Sequence, residues 1–218
     1  MFERGYITAA RYRGAPIKLH WSLIVGLLWV SGLSFLPGAW AGYVLVVLLH
    51  EMGHAFVARR YGLAVKEIML HGLGGHCAYV GYPTPWQRAV IASGGVSVQA
   101  LLLAIFVPLY LLLPPGGANQ TAFFSVMVFT NLFLILFNLI PIAPLDGHEI
   151  AKLPGLYRKQ RREKGMRAME QAETARARAL RMAPSRGGLE LELDDRAVKD
   201  LVKKALDDAK RAAKERSS

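Results

Sequence analysis

The sequence predicts an all-α polytopic membrane protein of about four transmembrane helices, followed by a soluble helical tail. Residues 1–151 hold 8 basic and 5 acidic residues, whereas residues 152–218 hold 19 and 11. The first part also contains four apolar stretches that are long enough to cross a hydrocarbon core of about 30 Å. We therefore expect a membrane-embedded core at 1–151 and a basic cytoplasmic tail at 152–218.

The four apolar stretches differ in how they begin and end. The first follows a basic segment, as a signal peptide does, but no small-residue cleavage pattern follows it, so we expect a retained anchor. The second ends at Arg59 and Arg60, and the third contains a run of small residues that permits close helix packing. The predicted spans are about 17–36, 39–58, 86–113 and 121–140.

The charges of the connecting segments predict the orientation. Basic residues cluster in the N-terminal segment, between the second and third spans, and at the start of the tail, whereas the segments 37–38 and 114–120 carry no charge. Basic segments stay on the cytoplasmic side, and four spans place all three of them there. We expect a multi-pass protein of the plasma or inner membrane with both termini in the cytoplasm.

The second span carries three ionisable side chains, His50, Glu51 and His54, in the stretch LLHEMGHAF. An acid at the centre of a membrane helix costs about 2.5 to 3.5 kcal/mol on insertion scales, so this group needs a functional reason. Residues i and i+4 share a helical face, which lets both imidazoles bind one ion while Glu51 lies beside a bound water. This is the HExxH zinc signature, in which the histidines bind and the glutamate acts as general base.

A catalytic zinc site needs a third protein ligand, and Asp146 is the candidate. It is the only acid between Glu67 and Glu149, and it lies in NLIPIAPLDGHEI at the cytoplasmic end of the fourth span. Pro141 and Pro144 prevent a regular helix there. Irregular backbone at membrane depth is tolerated only against protein or a water-filled cavity. The single cysteine, Cys77, excludes an internal disulfide framework and a four-cysteine zinc site.

Two separated motifs, HEMGH and NLIPIAPLDG, resemble the site-2 protease family of intramembrane zinc metalloproteases, and IKLHWS resembles the N-terminal segment of its small prokaryotic members. The resemblance implies hydrolysis of peptide bonds in or near transmembrane segments of substrate proteins. It implies one Zn²⁺ held by His50, His54 and Asp146, with Glu51 as the base. It also implies that LHGLGGHCAYVGY, between spans two and three, forms a membrane-associated β-hairpin whose Gly74 and Gly75 approach the substrate.

For several residues in or near these two motifs, the sequence allows two different roles. Asn138 either contacts the substrate carbonyl or is an amide that bonds across spans. The family has glycine where this chain has His148, which either faces an aqueous cavity or adds a polar group near the metal. His71, His76 and Cys77 are either pocket residues or interface side chains of the hairpin.

The tail begins with a basic cluster from Arg158 to Lys164, which is expected either to attract anionic lipid or simply to mark the cytoplasmic side. Residues 166–182 favour a helix, 183–188 break it, and 198–209 carry the apolar spacing of a second helix. That last helix needs a partner, either a second copy, a regulatory protein or the rest of the tail. Interleaved acids and a single aromatic residue argue against nucleic-acid binding.

Two other functions remain open from the residues. The buried set of His, Glu and Asp would suit a membrane protein that binds or transports zinc or protons without hydrolysis. An inactive protease-like adaptor is the other alternative. The glutamate next to a ligand histidine favours hydrolysis, because transport has no need for a base at that position.

Overall fold

The computed structural model describes residues 5–114, 116–182, Asp200 and Lys203. Contacts divide the chain into two compact units, Met1–Pro154 and Gly155–Ser218. The first unit is mostly helical with a small sheet. The predicted helix break at 183–188 and nearly all of the predicted amphipathic helix at 198–209 lie outside the described residues. The elements are β1 (Tyr6–Tyr12), β2 (Ala15–His20), α1 (Leu23–Val30), α2 (Pro37–Arg60), β3 (Ala64–His71), β4 (Gly74–Val80), α3 (Pro85–Leu112), α4 (Ala118–Ser125), a π-helical turn (Val126–Thr130), α5 (Asn131–Asn138), α6 (Asp146–Ile150) and α7 (Leu153–Met182).

Three helices of the described residues are long and apolar enough to cross a membrane: α2, α3 and the continuous run Ala118–Asn138. They agree with the second, third and fourth predicted spans to within about three residues at each end. Helix α3 begins at a capping box, in which the Thr84 side chain accepts from the Gln87 backbone N–H and the Gln87 side chain accepts from the Thr84 N–H.

The first predicted span is wrong as a continuous helix over 17–36. Its beginning forms strand β2, and α1 has eight residues, or about 12 Å of helix. Two residues with positive φ, Gly32 and Leu33, follow α1. The alternation of Ile17, Lys18 and Leu19 fits a strand, and pairing with β3 satisfies that backbone.

The predicted hairpin is present as β3 and β4, joined by a turn at Gly72 and Leu73, but it belongs to a larger sheet. The four strands lie in the order β1-β2-β3-β4, with β2 and β3 parallel and the other pairs antiparallel. Parallel pairing requires a crossover connection, and here α1 and α2 provide it. The molecule is therefore not purely α-helical.

The sheet packs on α2, so its strands lie next to the helix that carries His50, Glu51 and His54. Ile68 and Leu70 of β3 and Cys77 of β4 are buried in one core cluster with Tyr43 and Val47 of α2. On its other side α2 meets α3 through glycines. A side chain at Gly53 would begin 2.5 Å from the carbonyl oxygen of Gly94, so the predicted run of small residues does permit close packing.

The second unit is described from residue 155 to residue 182, within α7. Its side chains from 155 to 178 are almost all exposed. A helix that is polar on every face does not bury a stripe of its own.

Candidate metal centre

Helix α2 brings His50 and His54 together. The two imidazoles lie one turn apart on a buried face, and their Nε2 atoms are 3.0 Å from each other. Since i and i+4 side chains share a helical face, the separation follows from the sequence spacing.

Asp146 meets the two histidines from a different element, helix α6. Its Oδ2 lies 3.1 Å from His50 Nε2 and 3.3 Å from His54 Nε2. Asp146 is the first residue of α6, which follows the irregular segment 139–145. Gly147 leaves no room for a side chain, because a Cβ there would overlap the carbonyl oxygens of Leu139 and Ile140. This contact packs α6 against the end of α5.

Each histidine is oriented through its second ring nitrogen. His54 Nδ1 lies 2.8 Å from the carbonyl oxygen of Ile91, and His50 Nδ1 lies 3.0 Å from Gln99 Oε1, both on α3. A carbonyl oxygen only accepts, so Nδ1 carries the proton and Nε2 presents a lone pair. Such outer partners fix the orientation of metal-binding histidines. The sequence reasoning missed Gln99, although a polar side chain inside an apolar span is the same kind of signal as His50.

The three facing atoms have the geometry and chemistry of a zinc site. Two imidazole nitrogens and one carboxylate oxygen are separated by 3.0, 3.1 and 3.3 Å. A tetrahedral zinc with bonds of about 2.0 to 2.1 Å separates its ligand atoms by about 3.3 to 3.4 Å. Three lone pairs directed at one another repel unless a cation lies between them, and the buried Oδ2 of Asp146 receives no hydrogen bond from any of the described residues. The donor set therefore fits zinc.

Glu51 lies beside this triangle and is 4% exposed. One possible ligand atom from each of His50, Glu51 and His54 falls within 4.8 Å of the others. Gly75 of β4 covers the Glu51 side chain so closely that a Cβ at Gly75 would be 2.6 Å from Oε1. On α3, a Cβ at Gly95 would be 2.6 Å from both His50 Cε1 and His54 Nε2. Two glycines on different elements thus allow the close packing of the centre.

A cavity of about 900 Å³ opens onto the centre. Its lining contains every residue that the sequence analysis assigns to the metal, the base or the substrate. His71, His76 and Cys77 line it as well, whereas His148 is not among the described residues that do. The nominated lining residues are His50, Glu51, His54, Gly74, Gly75, Asn138 and Asp146.

The hairpin side chains near the cavity differ in their protonation. Burial, with a smaller contribution from the charge of Glu51, raises the pKa of the Cys77 thiol to about 12, so the thiol stays protonated and is a poor ligand or nucleophile. Burial lowers the pKa of His71, and the neighbouring His20 and His76 lower it further. Glu67 lies within β3, away from the cavity lining, and a hydrogen bond from Lys18 at 2.7 Å lowers the pKa of its carboxyl group.

Opposite charges join α3 to α6 at the cavity rim. Arg88 Nε lies 3.9 Å from Glu149 Oε2, and Lys152 Nζ lies 2.6 Å from Glu149 Oε1. Glu149 is three residues after Asp146. The contacts therefore restrain the helix that carries the carboxylate of the centre.

Comparison with known proteins adds a family and a related structure. The model of Peptidase family M50 matches residues 39–120. The chain is 35% identical over 172 residues to the putative zinc metalloprotease Rip3 of Mycobacterium tuberculosis, which covers 68% of this chain and 43% of that protein. It is 32% identical over 146 residues to zinc metalloprotease MJ0392 of Methanocaldococcus jannaschii, with coverage of 64% and 42%.

Among solved structures, the site-2 protease from Methanocaldococcus jannaschii superposes with a TM-score of 0.58 at 25% identity. The match covers 78% of this chain and 81% of that one. The chain spans less than half the length of the two curated relatives above.

Proposed function

The chain belongs to the site-2 protease family, peptidase family M50, and from this premise we propose that it is an intramembrane zinc endopeptidase. Its substrates would be membrane proteins, cleaved in or near a transmembrane segment. The observation that carries the proposal is the triangle of His50 Nε2, His54 Nε2 and Asp146 Oδ2, with Glu51 beside it at the wall of an open cavity.

We propose that His50, His54 and Asp146 hold one Zn²⁺. Bound zinc supplies Lewis acidity, which lowers the pKa of a coordinated water to about 7 and polarises a carbonyl oxygen. Glu51 accepts a proton from the attacking water and delivers it to the leaving amine. Gln99 and the Ile91 carbonyl keep the imidazoles in the tautomer that presents Nε2 to the ion.

The cavity wall supports substrate-binding roles for Asn138, Gly74 and Gly75. Asn138 lies at the end of α5 in the cavity lining, where its amide can donate to a carbonyl oxygen that gains charge during attack. Strand β4 is an edge strand of the sheet, and it includes Gly74 and Gly75. An unwound substrate segment can add to such an edge by backbone hydrogen bonds.

We propose four membrane crossings, with residues 13–36 providing the first as a strand followed by a helix. This segment runs antiparallel to α2 along its length. Arg59 near the end of α2 donates to the Arg13 carbonyl at 3.2 Å, and Trp40 near its start donates to Ser31 at 3.1 Å. The lengths agree, because six strand residues and eight helical residues cover about 32 Å. A hairpin that lies along α2 is then at membrane depth.

Four crossings put both termini on one side, and the basic residues near that side support a cytoplasmic location. The domain division follows: a membrane core at 1–151 and a basic tail at 152–218. For the tail we propose contact with anionic lipid through Arg158 to Lys164, and a regulatory partner or self-association through its last segment. A reporter fused within 114–120 should read as external, and one fused after Met182 as cytoplasmic. An external reading at both places would break this topology.

The decisive experiment combines metal analysis with cleavage. The purified protein should contain about one zinc and cleave at least one member of a panel of single-span substrates in liposomes. Zinc flux across those liposomes without cleavage would instead favour a transporter. Zinc binding with neither flux nor cleavage would favour an adaptor.

A further inference from the structure

In the turn of the β3–β4 hairpin, both backbone polar groups of Gly72 form hydrogen bonds with side chains. Its backbone N–H donates to Ser22 Oγ at 3.2 Å, and its carbonyl oxygen accepts from the Tyr43 hydroxyl at 2.9 Å. The bond to Tyr43 is buried, and the Tyr43 side chain is 2% exposed. Ser22 is itself held by His20, whose Nδ1 lies 2.7 Å from Ser22 Oγ.

Close backbone packing accompanies these two bonds. A Cβ at Gly72 would overlap the Ser22 carbonyl oxygen, and a Cβ at Gly26 would overlap the Gly72 carbonyl oxygen. Glycine at both positions lets the turn reach the beginning of α1. The other turn residue, Leu73, is 89% exposed. The turn is therefore held in place mainly through Gly72.

The spacing along α2 connects this tie to the candidate base. Tyr43, Val47 and Glu51 follow one another at intervals of four, so they lie on one face of α2. From Tyr43 to Glu51 the helix rises about 12 Å, and the turn at Gly72 and Leu73 leads directly into β4, which begins at Gly74. When Gly72 is fixed at Tyr43, Gly75 consequently falls over Glu51, where a Cβ would be 2.5 Å from Glu51 Cγ.

We infer that Tyr43 is a positioning residue that latches the hairpin turn, and so holds Gly75 against Glu51. The inference rests on the proposed function, in which Glu51 is the base and the hairpin borders the substrate. Tyr43 acts through Gly72 and need not touch the reacting atoms. The closed hairpin is the competent state, and its local opening displaces the wall of the cavity.

Replacement of Tyr43 by Phe keeps the ring in the core and removes only the hydroxyl. The buried carbonyl oxygen of Gly72 then has lost its side-chain donor. An unsatisfied buried acceptor shifts a local equilibrium by about five- to thirtyfold. The shift should appear as a larger open fraction of the hairpin, because local opening draws on the least stable contacts.

Cys77 is a built-in probe of this opening. It is the only cysteine in the chain, it lies on β4, and it is 8% exposed in the core between the sheet and α2. Its pKa of about 12 also suppresses the reactive thiolate in the closed state. In the closed state a reagent reaches Cys77 only through the cavity that it lines, which sets the slow wild-type rate, and lifting of the hairpin from α2 raises that rate.

The test measures the alkylation rate of Cys77 in the purified, zinc-loaded protein. The matched control is Tyr110→Phe, which removes a hydroxyl from a tyrosine of α3 that packs on Phe129 of the π-helical turn. We expect Y43F to react about five- to thirtyfold faster than wild type, and Y110F to react within about twofold of it. Zinc content should be equal in all three proteins, while the kcat for a membrane substrate falls in Y43F alone.

Two results would overturn the inference. The first is a Y43F alkylation rate equal to that of Y110F. The second is a loss of zinc that accompanies faster alkylation, because this would make Tyr43 a determinant of general stability. Neither readout needs a substrate, so a failure of the proposed protease activity would be seen separately, as absent cleavage by the wild-type protein.

Ser22→Ala supplies an independent variant. It removes the acceptor for the Gly72 N–H but leaves Tyr43 in place. Because both bonds hold the same residue, the rate increase in Y43F/S22A should differ from the product of the two single increases. Strict multiplicativity would indicate that the two residues do not act on one turn, and would contradict a shared latch.

Discussion

Gly95→Ala places a methyl group against the Nε2–Cε1 edges of both imidazoles of the candidate metal centre. The new Cβ would begin 2.6 Å from His50 Cε1, 2.6 Å from His54 Nε2 and 2.7 Å from His54 Cε1. Ordinary contact distances between carbon atoms are about 3.5 to 4.0 Å. The rings, or the helix that carries residue 95, must therefore move by about 1 Å.

Neither movement leaves the centre intact. Ligand distances in a metal site are held to about ±0.2 Å, so a ring shift of about 1 Å removes a proper bond to the ion. A retreat of α3 from α2 would instead separate the close backbones of Gly53 and Gly94. It would also stretch the bonds from the histidines to Ile91 and Gln99. Loss of such outer partners alone costs about 10- to 100-fold in metal affinity, so we expect at least a 100-fold decrease.

The assay is zinc retention during titration with a chelator, followed by metal analysis of the recovered protein. Ser93→Ala is the matched control on the same helix, because the Ser93 hydroxyl bonds only within α3, to the Val90 carbonyl at 2.8 Å. S93A should retain zinc as wild type does. A G95A protein that keeps zinc at the same chelator concentration would refute the packing of the imidazoles against residue 95.

The remaining predictions separate the metal, the base and the supporting contacts. D146A should lose zinc, measured by metal analysis; full occupancy would show that the third ligand is misassigned. E51Q should keep zinc and lose about 10²- to 10⁴-fold in cleavage rate, since an amide cannot accept a proton; retained cleavage would contradict its role as base. G75A, whose Cβ would meet Glu51 Cγ at 2.5 Å, should keep zinc but cleave more slowly, and unchanged turnover would argue against this contact. R88E and E149R should each lower zinc affinity about fivefold, and the double reversal should recover part of it in the same chelator titration, because the contact of residue 149 with Lys152 stays broken; no recovery would count against their pairing.

The sequence points to the donor atoms that we propose for the metal, because a charged or imidazole side chain has few uses inside an apolar span. The spacing of His50 and His54 places them on one face without knowledge of the fold. Asp146 is identified by scarcity, as the one acid in a long stretch of the chain. Its convergence with the histidines needs only that two spans end on the same side of the membrane.

Strand β2 is harder to predict. Its six residues lie directly before an apolar helix, so the whole stretch has the composition of a membrane span. The alternation of Ile17, Lys18 and Leu19 is too short to separate a strand from a helix in the sequence alone. The parallel pairing with β3 decides the outcome, and its partner strand lies about fifty residues later in the chain. Tyr43 is hidden for the same reason, because its partner is the backbone of Gly72.

The buried polar side chains suggest how more of the site could be found. Among the described residues, the buried polar side chains are those of Ser31, His50, Glu51, His54, Gln99 and Asn131. All except Ser31 belong to the metal centre or support it, since Gln99 bonds His50 and Asn131 donates to the Gln99 carbonyl at 3.0 Å. A buried polar group in an apolar surrounding needs a partner. Polar residues scattered over separate spans are therefore expected to meet, and the proposed metal ligands with their orienting residues form one such network.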